Sequence, residues 1–88
     1  MSSTPPSLAV LTAAHLGQLL VSARKRSKLT QAQVGSRLGL SQNRVSYLER
    51  HADELSFKQL LSYCAVVGLQ VRLGERATVD DSESTAEW

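Results

Sequence analysis

A chain of 88 residues is long enough for one small domain, and an apolar fraction of 42% suits a globular core rather than a disordered chain. One cysteine, Cys64, excludes a disulfide framework or a thiolate metal scaffold, so a core this small gains most from oligomerisation, and the lone thiol fits a reducing, cytoplasmic setting. The formal net charge is only +2, from ten basic and eight acidic residues, so any signal for a charged partner must lie in where the charges fall.

Met1 to Ser7 is rich in Ser, Thr and Pro, a composition that cannot bury apolar surface; residues 1–11 are read as a flexible lead-in. This start lacks the charged opening and apolar centre of a secretory signal, and no apolar run reaches bilayer-spanning length, so a soluble, unprocessed protein is expected. Leu8 to Leu11 is apolar but too short for a helix, which leaves a staple or a short strand. Thr12 is a candidate N-cap for a first helix with Leu16, Leu19, Leu20 and Ala23 at helical spacing. Its last turn collects Arg24, Lys25, Arg26 and Lys28; cations suit a helix C-terminus and equally suit phosphate.

Thr30 to Arg50 holds two short amphipathic helices, opened by the hydroxyls of Thr30 and Ser41, with Gly39 supplying a tight corner. That is a helix-turn-helix. Val34, Leu38, Val45 and Leu48 are its inward positions, and Gly35 is small enough to let the helices cross closely. Gln31, Ser41, Gln42, Asn43, Arg44, Ser46 and Tyr47 point outward. Short polar side chains and a guanidinium at the start of a recognition helix are what base edges and phosphates in a major groove require. The plainer alternative is a polar solvated face on an ordinary four-helix domain, although such a face more often carries Glu and Lys.

His51 to Leu55 is a connector, and Ser56 caps a fourth helix with Phe57, Leu60, Leu61, Cys64 and Val67 on one face and Gly68 at its end. Cys64 on that stripe reads as a small core residue, and Tyr63 beside it as a candidate contact-surface residue. These helices define a domain over residues 12–68. Leu69-Gln70-Val71-Arg72-Leu73 then alternates between Gly68 and Gly74 as a half-buried strand would. With no dependable partner in the chain, the strand in residues 69–74 is expected to pair with its copy across a two-fold axis through Leu69, Val71 and Leu73; Leu8 to Leu11 is the competing partner. Residues 75–88 form an acidic tail of low hydrophobicity, expected to be flexible, that ends in the single tryptophan, Trp88. Such a residue is either accidental or an anchor for another protein's pocket.

Charge is segregated along the chain. Arg24, Lys25, Arg26, Lys28, Arg37, Arg44 and Arg50 cluster in the middle with Glu49 as the only acid, whereas Glu75, Asp80, Asp81, Glu83 and Glu87 face Arg76 alone in the tail. A basic middle suits a polyanion, which would repel the tail, so the two ends have different jobs. His15 and His51 have no second ligand at metal spacing, and a solvent-facing His51 is expected. There is no glycine-rich phosphate loop, paired metal ligand set or nucleophile with an evident base, so neither an enzyme nor a cofactor is expected.

The run from Leu29 to Glu49 resembles the Cro/C1-type (XRE) helix-turn-helix family through Thr30-Gln31, Val34, Leu38-Gly39, Ser41-Gln42, Val45-Ser46 and Leu48-Glu49. Gly35 stands where that family usually has alanine. The resemblance implies a mainly α, four-helix domain across most of Thr12 to Val67. By position, Ser41, Gln42, Asn43 and Ser46 would reach base edges, with Gln31, Arg44 and Tyr47 at phosphate or at the edge of the site. The C-terminal strand, the length and the Glu87-Trp88 ending more narrowly resemble HipB-type antitoxins. That likeness implies a homodimer on palindromic operator DNA of its own operon, a HipA-type serine/threonine kinase toxin as partner, and Trp88 inserted in the toxin. A phage-like repressor without a toxin and a protein-interaction module without DNA are the alternatives.

Overall fold

The computed structural model describes residues 9–75, and the expectations for the first eight residues and for the tail, Trp88 included, lie outside the described residues. Four α-helices follow one another: α1 (Ala13–Arg26), α2 (Gln31–Leu38), α3 (Gln42–Arg50) and α4 (Phe57–Val67), with a 3-10 turn at Ala52–Glu54 between the last two. Each start is set by a hydroxyl in extended backbone that accepts a bond from an N–H three residues on. Thr12 takes that of His15, Thr30 that of Gln33, Ser41 that of Arg44 and Ser56 that of Gln59. In α2 and α4 the glutamine side chain returns a bond to the cap's own N–H, which completes a capping box.

Gly39 ends α2 at φ 74°, a left-handed conformation that lets the chain turn directly into Ser41 and α3. The corner is close as well as sharp. A methyl group on Gly35 would lie 2.4 Å from the Leu40 carbonyl oxygen, so the absent side chain is what admits the turn against α2. Gly17 plays the same part for α1, where a Cβ would stand 2.4 Å from the Glu49 carbonyl oxygen at the end of α3. Nothing in the local pattern around Gly17 announces that role, because the approach is made by a helix more than thirty residues away.

Leu20, Val34 and Val45 are fully buried at the centre, with Ala23, Tyr63, Cys64 and Val67 around them and Leu16, Leu29, Leu38, Leu40, Leu55, Leu60, Val66 and Leu69 packed against the cluster. Val34, Val45 and Leu48 are inward as expected, and Leu38 is half-buried. Cys64 is a core residue, and burial pushes its thiol pKa up.

Three expectations are corrected. Tyr63 is not at a contact surface but buried, because the inward stripe of α4 runs Leu60, Tyr63, Cys64, Val67 at spacings of three and four. Leu61 is one position off that stripe and Phe57 sits in the first turn beyond the core, so both are exposed. The third concerns residues 69–74. No strand forms there: Leu69 donates its N–H to the Cys64 carbonyl at 2.8 Å and rests on the core, while Val71 and Leu73 are exposed. A ladder needs a second row of donors and acceptors, and the described chain offers none, since Ala9 to Leu11 is also without strand. Among the described residues no helix is long and apolar enough to cross a membrane.

Candidate nucleic-acid interface

The interface depends on α3, and α3 is held by one carboxylate. Glu49 points into the bundle and is buried. Arg24 of α1 grips it with both arms, Nε donating to Oε2 at 2.7 Å and Nη2 to Oε1 at 3.1 Å, while its Nη1 donates to the Leu29 carbonyl at 3.1 Å. Gln31, the first residue of α2, donates its amide to Oε1 at 2.9 Å, and the Tyr63 hydroxyl of α4 donates to Oε2. Side chains from the other three helices therefore converge on a single group at the end of α3. Burial pushes the Glu49 carboxyl up, but the bonds from Arg24, Tyr63 and Gln31 outweigh it and hold the group below the usual glutamate range. The bond to Glu49 likewise raises Arg24 against its own desolvation, and burial followed by the same carboxylate drives the Tyr63 phenol up.

This arrangement separates Arg24 from its neighbours. Lys25, Arg26 and Lys28 are exposed, but Arg24 is turned inward and is not available to phosphate. The sequence signal was present in Glu49, the single acid of a basic stretch, which such surroundings would otherwise have left without a purpose.

The opposite face of α3 carries the residues expected to read DNA. Gln42, Asn43 and Arg44 form its exposed first turn, and among the described residues the side chains of Gln42 and Asn43 make no hydrogen bond to the protein. The Ser41 hydroxyl is engaged as the cap, accepting from the Arg44 N–H at 3.0 Å. Ser46 is half-buried and accepts from Arg50 Nη1 at 2.6 Å. Tyr47 is half-buried along one edge: its ring stacks on His51 with centroids 4.3 Å apart, its hydroxyl donates to Glu54 Oε2 at 2.7 Å, and the Arg44 guanidinium lies 5.2 Å from its centroid. Gln31 is half-buried with its amide committed to Glu49. Of the seven residues, Gln42 and Asn43 make no side-chain hydrogen bond among the described residues, Arg44 rests against the Tyr47 ring, and Gln31, Ser41, Ser46 and Tyr47 are hydrogen-bonded within the fold.

Two helices joined by a tight glycine corner, with the second presenting an exposed polar first turn, define a helix-turn-helix protein. The sequence matches the helix-turn-helix domain family over residues 15–78, well over half of its length, and the chain belongs to that family. No curated protein matches it. Membership points to a DNA-binding regulator, in a family whose domains are typically non-enzymatic.

Proposed function

We propose that the chain is a sequence-specific repressor that binds a palindromic operator as a homodimer, and that it is the antitoxin of a HipA-type kinase toxin, repressing its own operon. The observation that carries the DNA reading is the exposed first turn of α3, where the side chains of Gln42 and Asn43 make no hydrogen bond among the described residues and Arg44 rests beside Tyr47, on a helix whose other face is pinned through Glu49. Donors and acceptors carried on a fixed helix, without internal hydrogen bonds, suit base edges. In this reading Gln42 and Asn43 contact bases, with Ser41 and Ser46 beside them, and Gln31, Arg44 and Tyr47 lie at phosphate or the site's edge. The dimer reading is supported by the segment after Gly68, which exposes the apolar Val71 and Leu73. The toxin reading, with Trp88 as partner anchor, rests on the likeness of the sequence to HipB-type antitoxins.

Affinity for an operator and for random duplex tests the central claim. Gln42→Ala is expected to cost about 1–3 kcal/mol at the operator and to leave random DNA nearly unaffected. Arg44→Ala should weaken both and flatten the salt dependence. Equal losses on both duplexes from Gln42→Ala would refute the base contact. For the dimer, Val71→Asp puts a charge on the exposed apolar segment and should yield monomers in sedimentation; a dimer persisting at micromolar concentration places the interface elsewhere. Co-purification of the full chain with the product of an adjacent kinase gene tests the toxin partner.

A further inference from the structure

Tyr47, Glu54, His51 and Arg44 form a cluster on the outer edge of α3 that the fold does not need for its core. Glu54 sits on the 3-10 turn and is exposed, and the bond recorded for its side chain is the one it accepts from Tyr47. Tyr47 is pinned twice, by its hydroxyl on Glu54 at 2.7 Å and by its face on the His51 ring, inclined 30° to it. Arg44 then rests its guanidinium over the phenol. An exposed arginine ordinarily samples many rotamers, and docking it on DNA carries the entropy of choosing one. Over a ring held at its hydroxyl and on one face, part of that choice is made in the free protein.

We propose that Glu54 is a positioning residue for DNA readout: from outside the helix-turn-helix it holds the Tyr47 ring, and through it the Arg44 guanidinium, in the geometry used on the duplex. The proposal rests on the reading of α3 as the recognition helix. It assigns a carboxylate a favourable part at the rim of a polyanion site, where its charge alone would be adverse. Those two roles predict opposite outcomes. A carboxylate that merely repels phosphate weakens binding to every duplex, so removing it strengthens binding to all of them. A carboxylate that positions Arg44, itself placed at phosphate, supports binding to every duplex, so removing it weakens binding to all of them.

The experiment uses the full chain and two duplexes, one selected by the wild-type protein from a random library and one unselected. Glu54→Ala should weaken both duplexes about 3- to 10-fold, as expected for losing an exposed charge-assisted hydrogen bond and an exposed cation–π contact. Glu54→Gln keeps an acceptor oxygen for the phenol without the charge and should restore cognate binding to within about 2-fold. Tyr47→Phe should reproduce Glu54→Ala, and the double variant should bind no worse than either single one. In the free protein, Glu54 holds the Tyr47 phenol above the ordinary range, and burial pushes Tyr63 higher still. An ultraviolet titration of Glu54→Ala should therefore show the first tyrosine ionising at lower pH. Stronger binding of Glu54→Ala to both duplexes, or additive losses in the double variant, overturns the proposal. Failure of the wild-type chain to select any sequence is a separate result: it removes the recognition-helix reading and the proposal with it, whatever the titration shows.

Discussion

The two faces of α3 differ in what their side chains have left to offer. On the inner face Val45 and Leu48 are buried among apolar neighbours, and Glu49 accepts from Arg24, Gln31 and Tyr63. On the outer face of the first turn, Gln42 and Asn43 make no side-chain hydrogen bond among the described residues. A nine-residue helix is too short to be stable alone, so its orientation comes entirely from the inner face. The outer face can then keep polar groups that contribute little to folding and remain available to a ligand. In the proposed reading, stability and recognition are thus carried by different residues of one helix, sometimes by neighbours, as with Leu48 and Tyr47.

The largest effect should come from the inner face. Glu49→Ala leaves the Arg24 guanidinium buried without its counter-charge and takes an acceptor from Gln31 and Tyr63, a change expected to cost about 3–5 kcal/mol in chemical denaturation. Acid should act on the same group. The folded carboxyl lies below its unfolded value, so the unfolded chain takes up the proton first. The stability that Glu49 contributes is fully present above the ordinary glutamate value of about 4.3 and is lost as pH falls through the lower folded value. Wild type should show that extra acid-dependent loss, and Glu49→Ala should lack it. A variant as stable as wild type at neutral pH would mean that the network does not hold α3.

Gly17→Ala probes how closely α1 approaches the end of α3. A methyl group 2.4 Å from the Glu49 carbonyl oxygen meets backbone, which cannot rotate aside, so the helices must part. Overpacking of this kind is expected to cost about 1–3 kcal/mol, partly offset by the better helix propensity of alanine. A raised midpoint in thermal unfolding would show that α1 and the end of α3 can part without loss.

What could be read from the sequence divides along similar lines. The hydroxyl caps, the glycine corner at Gly39 and the inward Val34, Val45 and Leu48 are local patterns, and the structure has them all. The exposed start of α3 followed from the same periodicity. Arg24 and Tyr63 were misplaced because their positions are fixed by a partner far along the chain: Glu49 lies 25 residues from Arg24 and 14 from Tyr63. Periodicity likewise assigned Phe57 and Leu61 a face but not where the core ends. The alternation of Leu69 to Leu73 is a local pattern that forms no strand among the described residues, since a ladder needs a partner that periodicity alone does not supply.

Asn43→Ala should have the smallest effect on folding, and it tests the division between the faces most directly. Asn43 is exposed in the first turn of α3, its side chain bonds to nothing among the described residues, and the Ser41 cap acts through the N–H of Arg44 rather than through Asn43. Removing its amide therefore deletes no internal contact, and alanine is the better helix former. The unfolding free energy should stay within about 0.5 kcal/mol of wild type, with any change in the stabilising direction. Operator affinity should nevertheless fall by about 1–3 kcal/mol, because the same amide supplies the donor and acceptor that a base edge requires. A protein that tolerates the change in denaturation and fails in DNA titration has its recognition carried by residues the fold does not use. One that loses stability and affinity together has an outer face that helps to hold the helix, and the separation drawn here would be wrong at the position where it is sharpest.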